Sequence, residues 1–461
     1  MITFFYLGAN IHQEALDIIQ RSVDAVVLYE QEDSVHVMET LVGMADGDRA
    51  FSIDRDEISS AVRAACESSI DDRERIVQAV LSDFKVFLLR MRFLRVDLKG
   101  AFDGFGYFSD VVDYALKLAE GRRPKVVFCS YTPHTVEAWI VVRTLEELGA
   151  RVVRLIPSPL PWVLLPVQGL LNLTGCNLKA KERPVRSAAV DEYLSILRGD
   201  YSAAIPYYEK ALRRSSFRHF FSSLSRWSVR DIAKYMEKRA VQRDFERVAS
   251  SLVEGESYAI YFLHYQPEMN TLPEAGLYCD QFQAVKKLVD ALPSGVTLLI
   301  KEHPSTFSKR CDRRWRPAGF YERLGSLPNT RICLANTATF DLIDKSLFVA
   351  SIAGICLTEA LARGKAAVIF YTPRFAQFNK GLVIDANLST VSELRETFTS
   401  IVHGEWVVNE EDLHESFERM MSCGYDGALD DTYIPQSVAQ SAANSKRANC
   451  IAIEDVIDGR L

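Results

Sequence analysis

The stretch 347–371, LFVASIAGICLTEALARGKAAVIFY, decides the fold. Two apolar runs, LFVASI and AAVIFY, flank a turn at Gly354, a helix-period segment and Gly364. Unbroken apolar runs without polar alternation fit strands covered on both faces, and the segment between them is long enough for a crossover helix. The unit therefore reads strand, helix, strand, with Gly364 placed as the helix C-cap. Working outward, 258–263 (YAIYFL), 296–301 (VTLLIK) and 330–334 (TRICL) add strands with helical segments between them. The same alternation recurs at the front, where 1–8, 24–30 (DAVVLYE), 125–129 (KVVFC) and 151–156 (RVVRLI) read as strands. Helices are expected over 11–21, 56–68, 71–94, 109–120 and 135–149. The expectation is an α/β protein of two Rossmann-like, doubly wound lobes joined by a helical segment. Its divisions are a first lobe over 1–175, a basic helical linker or insertion over 176–250, a second lobe over 251–425, and a helix or loose tail over 426–461.

Across 461 residues, 48% hydrophobic and 25% charged, the chain has the composition of a globular protein with ample core, which excludes a disordered or collagen-like class. A net charge of −7 argues against non-specific nucleic-acid binding by the whole chain, and no nucleic-acid partner is expected. The charge is uneven, however, because 179–247 holds sixteen Lys/Arg against nine Asp/Glu. Within 210–239 the basic residues interleave with Phe217, Phe220, Phe221 and Trp227, which fits either a solvated linker or a surface for anionic lipid head groups. Nine scattered cysteines without C-x-x-C spacing point to reduced thiols and a cytoplasmic protein, peripheral at the inner membrane if the basic segment docks there. The opening ITFFYLG lacks a basic n-region and reads as a strand, and four prolines at 157, 159, 161 and 166 break the apolar stretch 155–174 as a spanning helix.

In open α/β sheets ligands bind beyond the carboxyl ends of the strands, so the loops there carry the candidate chemistry. After 258–263 comes His264-Tyr265-Gln266-Pro267-Glu268, and after 296–300 comes Lys301-Glu302-His303-Pro304. Lys301 and His303 can both donate to phosphate oxygens. After 347–352 a glycine turn leads into a helix carrying Thr358 and Glu359, whose free N–H groups suit phosphate and whose carboxylate suits ribose hydroxyls. In the first lobe His134 and Glu137 follow strand 125–129 in the equivalent position. Glu268, His134 and Glu137 are thus the candidates for the base or nucleophile, and the sequence does not rank them. Gly8-Ala9-Asn10 is no dinucleotide fingerprint, Asp54-Arg55-Asp56 has no strand leading into it, and no zinc or P-loop motif occurs, so no cofactor and no metal are expected.

The segments FLHYQPE, LLIKEHPS and VASIAGICLTEALARGKAAVIFY within 258–372 resemble the bacterial capsule polysaccharide biosynthesis proteins, a family that includes the Kdo transferases of capsule export. FCSYTPHTVEAW in the first lobe is more weakly similar. The resemblance implies a GT-B arrangement, a nucleotide-sugar donor held by the C-terminal lobe and often CMP-linked, a glycan or lipid-linked glycan acceptor on the N-terminal side, and transfer without bound metal. It implies donor-phosphate contact by His303-Pro304, a small-residue turn at Ser351 and Gly354, the helix acid at Glu359, and the loop glutamine and acid at Gln266 and Glu268. With Lys301 and Thr358 these make up the expected donor site. A nucleotide-sugar epimerase or hydrolase, and a non-catalytic polysaccharide assembly factor, are the alternatives.

Overall fold

The computed structural model describes residues 4–8, 25–31, 34–40, 51–52, 70–83, 101–119, 125–133, 136–170, 174–175, 187–199, 229–266, 268, 270–272, 274–307, 315–335, 337–371, 373–375, 378, 381–427 and 445–458. His134 and the helices expected over 11–21 and 56–68 lie outside them, as do residues 210–228 of the basic segment.

Two sheets form. In the second lobe β9 (Tyr258–Phe262), β10 (Thr297–Lys301), β11 (Thr330–Ile332), β12 (Phe348–Ser351), β13 (Ala366–Ile369) and β14 (Val383–Asp385) take the order β11-β10-β9-β12-β13-β14. Every pairing among them is parallel, which is the doubly wound order that the apolar runs predict. These runs are continuous because helices cover both faces, and β12 and β13 are buried at every position.

The first lobe is mixed rather than purely parallel. Strands β1 (Phe4–Gly8), β2 (Ala25–Gln31), β5 (Val126–Cys129) and β6 (Arg151–Pro157) pair in parallel in the order β2-β1-β5-β6. Antiparallel strands extend both edges: β3 (Ser34–Thr40) on β2, and β7 (Val163–Gln168) on β6. Within the apolar, proline-rich stretch 155–174, residues 155–168 thus fold as a hairpin, with Leu155 opposite Pro166.

The chain then returns. After α11 (Glu410–Cys423), β15 (Tyr425–Asp426) pairs antiparallel with β7 of the first lobe. Gly424 permits that approach, since a Cβ there would lie 2.2 Å from Val163 Cγ1 and 3.0 Å from the Leu164 carbonyl oxygen. Beyond it α12 (Ser445–Ile457) buries Ala448, Cys450, Ala452, Ile453 and Val456 against Val126, Phe128, Val153 and Leu155. Of the segment expected as a helix or loose tail, Ser445–Ile457 is therefore a helix, and its inner face of small and β-branched residues is part of the first lobe's core.

One further core runs across both lobes, from Trp162, Val163 and Leu165 through α4 (Ala188–Arg198) to the second sheet. Arg198 Nε donates to the Ala362 carbonyl at 2.8 Å, which fixes α4 on α9 (Cys356–Ala362). A buried ion pair also joins the lobes: Arg154 on β6 bonds Glu274, and Thr132 Oγ1 donates to the same carboxylate at 2.7 Å. The carboxyl ends of the two parallel arrays thus meet.

Candidate active site

In the order β11-β10-β9-β12-β13-β14 the chain reverses direction of growth between β9 and β12, and a crevice opens at such a switch point. Ladder pairing between these strands runs only through Val349 opposite Ile260 and Ala350 opposite Tyr261. One residue on, Ser351 Oγ donates to the Phe262 carbonyl at 3.0 Å and takes the place of a ladder bond. The loops that follow carry the site.

His264 stands between them. Its Nε2 accepts from the Ala353 N–H at 3.1 Å, and its Nδ1 lies 3.1 Å from Glu268 Oε2. An amide N–H can only donate, so the ring proton sits on Nδ1 and is given to Glu268. The Glu268 side chain is 38% exposed. Burial alone would push its carboxyl up, but the hydrogen bond from His264, with the neighbouring His303 ring and the Arg374 guanidinium, outweighs that and holds it below the usual range. Glu268 is accordingly an ionised carboxylate at the crevice. Gly354 completes the wall, because a Cβ there would come within 3.0 Å of Cys356 Sγ and 3.2 Å of Ser351 Oγ.

His303 faces Glu268 from the end of β10, its ring centroid 6.1 Å from that of Tyr265. Burial holds its pKa below the ordinary histidine value, against the opposing pull of Glu268. At neutral pH it is therefore an uncharged imidazole, able to donate one hydrogen bond without carrying charge.

Beneath the crevice lies a polar network that sequence reading passed over. Glu302, 1% exposed, receives Arg316 Nε at 2.6 Å, Arg316 Nη2 at 2.9 Å, Tyr321 OH at 2.7 Å, Thr306 Oγ1 at 3.0 Å and the His303 N–H at 2.7 Å. Arg316 also donates to the His264 carbonyl at 2.9 Å and to Gln266 Oε1 at 3.1 Å. Burial would raise the Glu302 carboxyl; Arg316 and the other donors reverse this and hold it below the ordinary range. The network clamps the loops after β9 and β10, and so sets the spacing of His264, Glu268 and His303.

Several residues expected to touch a donor are bonded into or buried beneath this framework. Gln266 is 7% exposed, and its amide is bonded to Gln281, Arg316 and the Cys279 carbonyl. The Lys301 ammonium donates to the carbonyls of Ala335 at 3.2 Å and Thr337 at 2.8 Å, binding β10 to the loop after β11. Thr358 and Glu359 are 0% and 2% exposed within α9, a helix of only seven residues. Their positions follow from tight packing against β12 and β13, which a local pattern of small and polar residues does not disclose. Glu137 lies in the first turn of α3 (Val136–Glu147) in the first lobe and accepts from Tyr107 OH at 3.0 Å. Among the described residues, then, the structure brings Glu268, His303, Ser351 and Gly354 together, adds His264, and brings in Arg374 from the turn after β13. Arg374 Nη1 donates to the Ala353 carbonyl at 3.0 Å and Nη2 to the Ser158 carbonyl of the first lobe at 3.3 Å. No local signal marks Arg374 or Arg316 in the sequence. Among the described residues no group of three or more His, Cys, Asp or Glu could hold a metal ion, and no helix is long and apolar enough to cross a membrane.

The chain matches no protein-family model and no curated protein. Among solved structures it is similar to KpsC, the beta Kdo 2,7 transferase of Thermosulfurimonas dismutans, at 12% identity over 75% of this chain and 89% of that one, with a TM-score of 0.32. It is similar to the UDP-forming trehalose-phosphate synthase of Burkholderia xenovorans at 12% identity over 100% and 98%, TM-score 0.31. The UDP-GlcNAc 2-epimerase of Neisseria meningitidis follows at 13% identity over 99% and 100%, TM-score 0.26. Similarity at this level carries no residue-by-residue correspondence.

Proposed function

We propose that this chain is a metal-independent glycosyltransferase that moves a sugar from a nucleotide donor, of the CMP-linked ulosonic or sialic acid type, to a glycan or lipid-linked glycan of a bacterial surface polysaccharide. The observation that carries the reading is the chain of bonds Ala353 N–H to His264 to Glu268, which presents an ionised carboxylate at the switch-point crevice where the lobes meet. The motifs FLHYQPE, LLIKEHPS and VASIAGICLTEAL support the donor class by their resemblance to capsule polysaccharide biosynthesis proteins.

In the proposed reaction Glu268 takes the proton of the acceptor hydroxyl as its oxygen bonds to the anomeric carbon. The bond from that carbon to the donor phosphate breaks, and its electron pair leaves on the phosphate oxygen. His264 holds the carboxylate in line, while the neutral His303 donates a hydrogen bond to the departing phosphate. Lys301, Gln266, Thr358 and Glu359 shape the site from beneath.

Thermal unfolding in the presence of CMP, UDP, GDP and dTDP tests the reading, since a ligand bound only by the folded state stabilises by mass action. CMP is expected to raise the midpoint most, and EDTA to change its affinity by less than about tenfold, roughly 1.4 kcal/mol. Stabilisation by none of the four would overturn the proposal.

We also assign the peripheral-membrane role to the exposed face of α5 (Val229–Val248). Ile232 and Met236 are 46% and 64% exposed, and Arg239 and Arg243 continue their stripe at helical spacing. Such a face suits an anionic bilayer, at about 1 kcal/mol per basic residue. The protein is expected to float with phosphatidylglycerol vesicles and not with neutral ones; equal behaviour with both rejects the role.

A further inference from the structure

A departing phosphate needs a positive charge, and the groups first expected to supply it do not. Lys301 is turned to two carbonyls, His303 is uncharged, and α9 is a two-turn helix. Arg374 remains. Its setting differs from that of the other buried arginines. Arg143 faces Asp83 at 3.2 Å and Glu147 at 2.7 Å, Arg154 is paired with Glu274, and Arg316 with Glu302 at 2.6 Å. Among the described residues Arg374 has no carboxylate at ion-pair distance, only the carbonyls of Ala353 and Ser158. Its Nε is buried and has no hydrogen-bond partner among the described residues.

A guanidinium withdrawn from water without a counter-charge is costly, and so is an orphaned N–H. Burial accordingly depresses the Arg374 pKa, despite the partial compensation from Tyr193, Cys356, Glu268 and Tyr371. Both costs are relieved by one event, the arrival of an anion. The position is suitable, because Arg374 holds the turn that contains Ala353, the residue whose N–H also fixes His264. It spans from that turn to the first lobe.

We infer that Arg374 is the anion-binding residue of the crevice, receiving phosphate or carboxylate oxygens of the ligand on its unpartnered Nε–H and coupling that contact to the seam between the lobes. The assignment rests on the nucleotide-sugar reading above, and the test separates the two. If the anion is phosphate, Arg374 discriminates a nucleotide from its nucleoside. If it is a sugar carboxylate, Arg374 discriminates free sialic acid from its methyl ester and is indifferent to the nucleotide phosphate.

The experiment measures dissociation constants of the full-length protein and of Arg374→Gln and Arg374→Lys for cytidine, CMP, sialic acid, its methyl ester and inorganic pyrophosphate, together with unfolding midpoints without ligand. The wild type is expected to prefer CMP to cytidine, or the acid to its ester, by tenfold or more. Arg374→Gln should abolish that preference while leaving the uncharged partner's affinity unchanged, and Arg374→Lys should keep part of it. Without ligand Arg374→Gln should melt no lower than wild type, whereas a purely structural bridge between Ala353 and Ser158 would lower the midpoint. Preference for the anion undiminished in Arg374→Gln overturns the assignment and leaves the nucleotide reading standing. Pyrophosphate binding that requires Arg374, with no nucleotide binding, upholds the anion site and overturns the nucleotide reading. Failure of all five probes to bind the wild type overturns both.

Discussion

Replacing Arg316 with Met is expected to cost about 3–5 kcal/mol of folding stability, because it leaves the Glu302 carboxylate buried with its principal counter-charge gone. Glu302 is 1% exposed, and its two oxygens together receive five hydrogen bonds, two of them from Arg316. The Tyr321, Thr306 and His303 donors that remain are neutral and cannot replace a guanidinium. Denaturant unfolding followed by tryptophan fluorescence measures the loss, and a change under about 1 kcal/mol would contradict the role assigned to the pair. Adding Glu302→Gln to Arg316→Met should recover part of the loss, since it removes the stranded charge. The pH dependence has a definite sign. Arg316 keeps the folded carboxyl below its ordinary value of 4.5, so the pair's contribution is complete above that pH and drains away as pH falls beneath it. The double variant should therefore lose less stability than wild type between neutral pH and the acid side of that value.

Glu268→Gln is expected to lower turnover by about 10²- to 10⁴-fold while the unfolding midpoint barely moves, the pattern of a lost general base rather than of a damaged fold. The side chain is 38% exposed and its hydrogen bond to His264 can be kept by the amide oxygen, so little packing is lost. In wild type the carboxyl titrates below the usual range, and activity should hold steady through mildly acid pH before falling as Glu268 protonates. Glu268→Gln should lack that acidic limb. The measurement is consumption of the nucleotide sugar whose nucleotide proves to bind, against pH, for both proteins. A variant within about threefold of wild type, with the same acidic limb, would move the base elsewhere.

The second lobe was legible because parallel strands buried on both faces read as unbroken apolar runs, and β9, β10, β12 and β13 all begin within a residue or two of where such runs begin. The first lobe was less so. Pro166 argues against a strand, yet β7 carries it opposite Leu155 in the middle of the β6–β7 ladder, and Ser34–Thr40 has too much polar character to announce β3. At the crevice, strand ends pointed to Glu268 and His303, since topology alone puts such loops beside a ligand. What the sequence could not reveal was direction. Whether Lys301 turns to solvent or to the carbonyls of Ala335 and Thr337, and whether Gln266 meets a donor or Arg316, is decided by chain segments far off in sequence. Arg316 and Arg374 carry no periodicity at all; their importance comes from burial and from the presence or absence of a carboxylate partner.

The return of the chain to the first lobe has a consequence for synthesis. Val126, Phe128, Val153 and Leu155 emerge from the ribosome early, but the helix Ser445–Ile457 that covers them emerges some three hundred residues later. All six strands of the second sheet, which ends at Asp385, are made before that cover exists. A nascent chain can therefore complete the second sheet while one face of the first is still open, and that face is an apolar surface available to chaperones or to neighbouring chains until the helix Ser445–Ile457 has emerged to cover it.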